Sequence, residues 1–175
     1  MLKGLIIVAN VWRIHLRKGV VGDTVSIGAY CIKNQIAAMG WILEHTDKEI
    51  ENYADYEICA QAEGLNISQV RTLAKKIKPG DFIWTYFDKT YYLAKIGADS
   101  KYNYNASAEA IENDACNELT NVRWKAIGDY TAVDEIICSS LQRGQTLQRI
   151  CDPKNNKFNF ERVLKFTQHI YEKYF

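Results

Sequence analysis

Charge of one sign is what this chain lacks: 22 Lys and Arg stand against 21 Asp and Glu, for a formal net charge of +1 at pH 7. That balance excludes binders of the histone type, which hold nucleic acid through bulk basicity, so any nucleic-acid site must be a local patch. Paired cysteine motifs are missing too. Cys31, Cys59, Cys116, Cys138 and Cys151 are scattered, form no CxxC and are odd in number, a usage that fits a reducing cytoplasm. The apolar run at 5–9, "LIIVA", is too short for a bilayer and is expected to be a buried strand and not a signal. GxGxxG, P-loop, HExxH and GxSxG are all absent, and His15, His45 and His169 fall on three separate predicted elements. Glu109, Glu112, Asp114 and Glu118 match no oxygen-ligand loop. No catalytic residue, cofactor site or metal site is therefore assigned.

What is present is an ordinary globular composition, with 47% hydrophobic residues in 175, enough for one domain with a real core over residues 1–175. Residues 5–16 are β-branched and end in alternation, which predicts a strand. A turn is expected around Lys33 and Asn34, with a strand over 36–42. Thr46 and Glu49 form a candidate capping box for a helix that Gly64 closes. A second helix starts at Ser68, with Val70, Leu73, Ala74 and Ile77 at helical spacing and Arg71, Lys75, Lys76 and Lys78 on other faces, and Pro79-Gly80 stops it.

The stretch "GDFIWTYFDKTYYLAKIG" predicts a hairpin with strands over 82–87 and 91–97, joined by "DKT". Alternation puts Phe82, Trp84 and Tyr86 on one face and Ile83, Thr85 and Phe87 on the other, one to fill a barrel and one to line its mouth. The polar, acidic segment 98–118 is expected to be loop with one helical turn, followed by a strand over 120–127. Val133, Ile136, Ile137 and Leu141 predict a helix, and residues 159–174 an amphipathic C-terminal helix docked on the body. The order of elements predicts an α+β fold on a bent, mostly antiparallel, barrel-like sheet.

Trp12, Trp41, Trp84 and Trp124 fall on four predicted strands, in polar company: Asn10 and Arg13 beside Trp12, Asn34 ahead of Gly40-Trp41, Arg123 beside Trp124. Flat rings with an amide or guanidinium suit a pocket for a planar nucleobase, because rings stack on the base while the polar group reads its edge. Arg71, Lys75, Lys76 and Lys78, with Arg13 and Lys33, are the expected phosphate contacts.

The blocks "VWRIHL", "CIKNQIAAMGW", "KPGDFIWTYFDKTYYLAKI" and "NVRWKAIG" resemble the PUA-like superfamily, in particular its EVE-like branch, related to YTH, ASCH and SRA-type domains. The resemblance spans about residues 8–150. It implies a small bent β-barrel flanked by helices that binds DNA or RNA and takes a modified base into an aromatic pocket, often alongside a nuclease partner in bacterial defence. Trp12 resembles the aromatic on the first barrel strand, Asn34 and Trp41 the residues around the "GW" strand, and Trp84 and Tyr92 the hairpin rings. The alternative it implies is an ASCH-like, RNA-cleaving enzyme using Arg13, His15, Lys33 or Arg123.

Overall fold

A computed structural model describes residues 9–16 and 27–175, so the expected strand at 5–8 and the glycine-containing stretch before Ile27 lie outside the described residues. In chain order the elements are β1 (Val11–Ile14), α1 (Ile27–Asn34), β2 (Ala37–Met39), α2 (Tyr53–Ala62), α3 (Ser68–Lys75), β3 (Phe82–Phe87), β4 (Thr90–Lys95) and β5 (Tyr102–Tyr104). They continue with α4 (Ala108–Glu112), β6 (Asn117–Leu119), β7 (Lys125–Gly128), α5 (Glu135–Ser140), β8 (Leu147–Arg149) and α6 (Lys157–Tyr174). The fold is α+β. Five strands form one sheet in the order β7-β4-β3-β1-β8, and three form a second in the order β2-β6-β5. β1 runs parallel to β3 and every other pair is antiparallel. The expected closed barrel is not found among the described residues. The described strands divide into two sheets, and among the described residues no ladder joins the two.

The β3–β4 hairpin forms through a two-residue turn in which Asp88 and Lys89 both take positive φ, 46° and 61°, the twist that matches antiparallel partners. Its two faces enter two different cores. Ile83, Ala94 and Ile96 join Trp12, Ile14, α1, α2, α3 and the small sheet in a core between the sheets. Phe82, Trp84, Tyr91 and Leu93 join Val11, Ile127 and the apolar stripes of α5 and α6 on the opposite face. Both faces are therefore mostly buried, and exposure is confined to the hairpin's ends, at Tyr86 near the turn and Lys95 at the far end. Helix α6 supplies Phe160, Val163, Thr167 and Ile170 at helical spacing, and Asn156 caps it by accepting the Asn159 amide.

Four local expectations are corrected. Helix α2 starts after Asn52 and not at Thr46, because Asn52 Oδ1 accepts the Ala54 and Asp55 amides while its Nδ2 donates to Asp55. The Glu63 carboxylate meanwhile takes the amides of Glu44 and His45, which holds the preceding segment non-helical. Residues 27–34 form helix α1, so Lys33 and Asn34 end a helix. The 98–118 segment carries β5, α4 and the start of β6; strands of three residues are too short to display a period. Trp124 precedes β7 and Trp41 follows β2, so only Trp12 and Trp84 sit on strands. Among the described residues no helix is long and apolar enough to cross a membrane.

Candidate functional site

A cavity of about 310 Å³ opens where β1 and β2 end, lined by His15, Ile27, Ala38, Met39, Gly40, Trp41, Asp114 and Thr146. Its size is at the lower end for small-ligand sites. The Gly40-Trp41 pair defines one wall. Trp41 takes φ 64°, so the chain turns sharply as it leaves β2 and brings a half-buried indole to the opening.

That turn is locked from behind. Asn117 Nδ2 donates to the Gly40 carbonyl and, at 3.2 Å, to the Trp41 carbonyl, which also accepts the Tyr56 hydroxyl at 2.8 Å. Asn117 Oδ1 in turn accepts the Tyr102 hydroxyl at 2.7 Å. Asn117 and Tyr56 are fully buried, and burial pushes the hydroxyl pKa of both Tyr56 and Tyr102 well above the ordinary tyrosine value. Both phenols therefore stay protonated and donate. Tyr53, Tyr56, Tyr102 and Tyr104 pack ring against ring around this network, and Tyr104 accepts the Leu43 amide at 2.8 Å. The aromatic wealth of this region thus serves mainly to fix one backbone turn.

Asp114 lines the same cavity, against Gly40, and itself takes φ 53°. A Cβ added at Gly40 would lie 2.0 Å from Asp114 Oδ1 and 2.6 Å from its Cγ, so only glycine lets the carboxylate sit there. His15 Nε2 lies 2.6 Å from the Arg143 carbonyl; a carbonyl only accepts, so the Nε2 nitrogen carries the proton. The arrangement offers a flat ring, an acceptor carboxylate and an imidazole within one small opening.

The other expected site residues are dispersed. Trp12, Trp84 and Trp124 are buried, and each indole N–H is spent inside the protein: on Asp81 at 2.9 Å, Thr167 at 3.1 Å and the Ile36 carbonyl at 2.7 Å. They are core residues and line no common pocket. Arg13 is fully buried, bonded to the Gln145 carbonyl and, at 2.7 Å, to Gln148 Oε1, which takes it out of reach of an external phosphate. Asn10 donates to Asp81 and accepts from Arg149, and Tyr92 is half-buried against the inter-sheet core. Asn34 is exposed and donates to the Tyr30 carbonyl, and Arg123 is exposed and pairs with Asp99 at 3.1 Å. Arg71 and Lys75 both bind Glu57 at 2.9 Å, which neutralises part of the basic face of α3, whereas Lys33, Lys76 and Lys78 are exposed. Arg13, His15, Lys33 and Arg123, the residues of the enzyme alternative, stand in separate surroundings.

Sequence reasoning missed Asp114 as a cavity wall, and Asn117 and Tyr56 as the clamp behind it. Only the Gly40-Trp41 pair was visible locally. Among the described residues no group of three or more His, Cys, Asp or Glu is placed to hold a metal ion. Residues 12–150 match the model of a family described as "Domain of unknown function (DUF8426)". No curated protein and no solved structure matches the chain.

Proposed function

The chain belongs to the DUF8426 family, and on that premise we propose that it is a nucleic-acid-binding module that takes one unpaired or flipped base, modified or not, into the Gly40–Trp41 cavity. One observation carries the reading: a half-exposed indole and a carboxylate face the same small opening, and the backbone that aims the indole is locked by buried hydrogen bonds. A ring stacks on a base without sequence preference, and a carboxylate accepts from an exocyclic amino group such as cytosine N4. Stacking returns about 1–3 kcal/mol per base, comparable with the few kcal/mol that unstacking the base costs. The exposed Lys33, Lys76 and Lys78 are the remaining candidates for phosphate contact. The PUA-like assignment belongs to the same reading and rests on the sequence blocks that resemble that superfamily, beside a fold that is α+β. So does a role beside a nuclease partner in bacterial defence, since a module that only reads a base leaves cleavage to another protein.

The test is a titration at low salt with short duplexes bearing cytosine, 5-methylcytosine or 5-hydroxymethylcytosine, and with N6-methyladenine RNA. Trp41 is the one tryptophan of the four that is not buried, so binding is expected to quench its fluorescence, and Trp41→Ala to abolish both quenching and binding. Absence of binding to all four probes refutes the proposal.

A further inference from the structure

A second opening, of about 710 Å³, lies at the turn end of the β3–β4 hairpin. It is on the sheet face opposite the Gly40–Trp41 cavity: Tyr91 belongs to the core against α5 and α6, whereas Ile27, Ala38 and Met39 belong to the core between the sheets. Register assembles it. Tyr86 opposes Tyr91 across β3 and β4, Tyr91 opposes Gly128 across β4 and β7, and Asp129 and Tyr130 follow Gly128 directly. The Tyr86 and Tyr91 ring centroids are 4.7 Å apart with planes inclined by 50°. Tyr91 is the buried floor, while Tyr86 is 45% and Tyr130 72% exposed. Tyr130 contacts no other ring among the described residues.

Two opposite charges stand beside these rings. Asp129 Oδ1 accepts the Thr131 hydroxyl at 2.5 Å and the Thr131 amide at 2.9 Å, which caps the turn Tyr130–Ala132 and holds the carboxyl below its ordinary value. Its other oxygen makes no hydrogen bond among the described residues. Lys89 lines the same opening from the tip of the hairpin turn, yet neither residue forms an ion pair with the other or with any other described residue. The rings are uncovered too. Lysine ammonium groups of this chain stand 4.9–5.9 Å from the ring centroids of Tyr53, Phe82, Tyr171, Tyr174 and Phe175. Among the described residues none stands over Tyr86, Tyr91 or Tyr130.

Ring faces attract cations through their quadrupole, and a neighbouring carboxylate adds to that attraction. A quaternary ammonium has no N–H to satisfy, so rings and one carboxylate meet all its needs. Lys89 sets the other end of the ligand, because a bare cation would leave its charge uncompensated in the same opening. We propose that the Tyr86–Tyr91–Tyr130 opening binds a small zwitterion of the phosphocholine and betaine class, in which a quaternary ammonium and a phosphate or carboxylate lie a few bonds apart. The ammonium rests between Tyr86 and Tyr130 over Tyr91, with Asp129 as its counter-charge, and the anionic end meets Lys89. This site is independent of the base-binding reading and would stand without it.

The test is calorimetric titration of the whole chain with phosphocholine, betaine, choline and 3,3-dimethylbutanol, the uncharged isostere of choline. Phosphocholine and betaine are expected to bind, choline more weakly, and the isostere not at all. Tyr86→Leu/Tyr130→Leu keeps apolar area while removing two ring faces, and is expected to weaken all three ammonium ligands on the order of 5- to 30-fold. Asp129→Asn still caps the turn but lacks the charge, and is expected to weaken all three as well. Lys89→Asn, a residue at ease at the positive φ of this position, is expected to weaken phosphocholine and betaine and to leave choline unchanged. Circular dichroism checks the fold of each variant. Absence of binding to phosphocholine and betaine overturns the proposal, as does the isostere binding as tightly as choline, or affinities unchanged in the tyrosine and Asp129 variants. Binding to phosphatidylcholine vesicles without binding to free phosphocholine overturns it as a small-molecule site.

Discussion

Adding one methyl group at Gly40 probes the cavity most directly. Gly40 is not among the residues at positive φ, so alanine is conformationally acceptable there and its effect is steric. The three atoms nearest an added Cβ all belong to Asp114, at 2.0, 2.6 and 3.0 Å. Ordinary carbon contacts lie at about 3.5–4.0 Å, so the carboxylate must retreat by roughly 1.5 Å. Overpacking of this kind costs about 1–3 kcal/mol; Asp114 is half-buried on a short side chain, which puts Gly40→Ala at about 1–2 kcal/mol in urea unfolding. The mechanism is tested by a double-mutant cycle with Asp114→Gly, which removes the carboxylate at a position whose φ of 53° glycine accepts without strain. In that background Gly40→Ala is expected to cost no more than about 0.5 kcal/mol. Equal costs in the two backgrounds would show that the glycine is required for some other reason, and the account of the cavity wall would fall.

Other consequences follow from the buried polar groups. Asp81 accepts the Asn10 amide at 2.8 Å, the Trp12 indole N–H at 2.9 Å and the Lys78 amide at 3.0 Å; Asp81→Ala is expected to lower unfolding stability by about 3–5 kcal/mol by orphaning these donors, and a loss under 1 kcal/mol would contradict the hub role. Burial raises the Cys31 thiol to about 12 and the Cys116 thiol to about 11, so mass spectrometry after iodoacetamide at pH 8 should find both unmodified until the protein is denatured. Lys75 first, and Arg71 after it, hold the Glu57 carboxyl below its ordinary value of 4.5. A depressed carboxylate stabilises the fold above the unfolded-state value and loses that contribution as pH falls through the folded-state value. Glu57→Gln is therefore expected to cost at most about 1 kcal/mol at pH 7, solvent screening included, and the difference from wild type should shrink below pH 4.5 and vanish at lower pH; a gap independent of pH refutes the ion-pair account.

The local signals were strong enough to give the β3–β4 hairpin, α3 and α6 from residue order alone. A period of two across Phe82–Phe87, a short polar turn and the helical spacing of Val70 and Leu73 or Phe160 and Val163 are properties of neighbouring residues, and tertiary packing agrees with them. The site was less legible. Four tryptophans in polar company pointed to one pocket, yet the polar neighbours of Trp12 serve the fold: Asn10 holds Asp81, and Arg13 lies buried against Gln145 and Gln148. An indole N–H finds a partner when buried, so polar company does not distinguish a ligand pocket from a core.

Sequence by itself determined the β3–β4 hairpin and the helices α3 and α6, that one hairpin face carries Phe82 and Trp84 and the other Ile83 and Thr85, and that Gly40-Trp41 is an unusual pair. Only the tertiary structure decided that both hairpin faces are covered, that β1 lies parallel to β3, that 98–118 contributes strands to a second sheet, and that Asp114 comes to rest against Gly40. The division has a physical cause. Periodicity and turn chemistry act within a few residues, whereas a close approach between distant segments depends on which sheets pack together, and glycine shows only that something lies near it, not what.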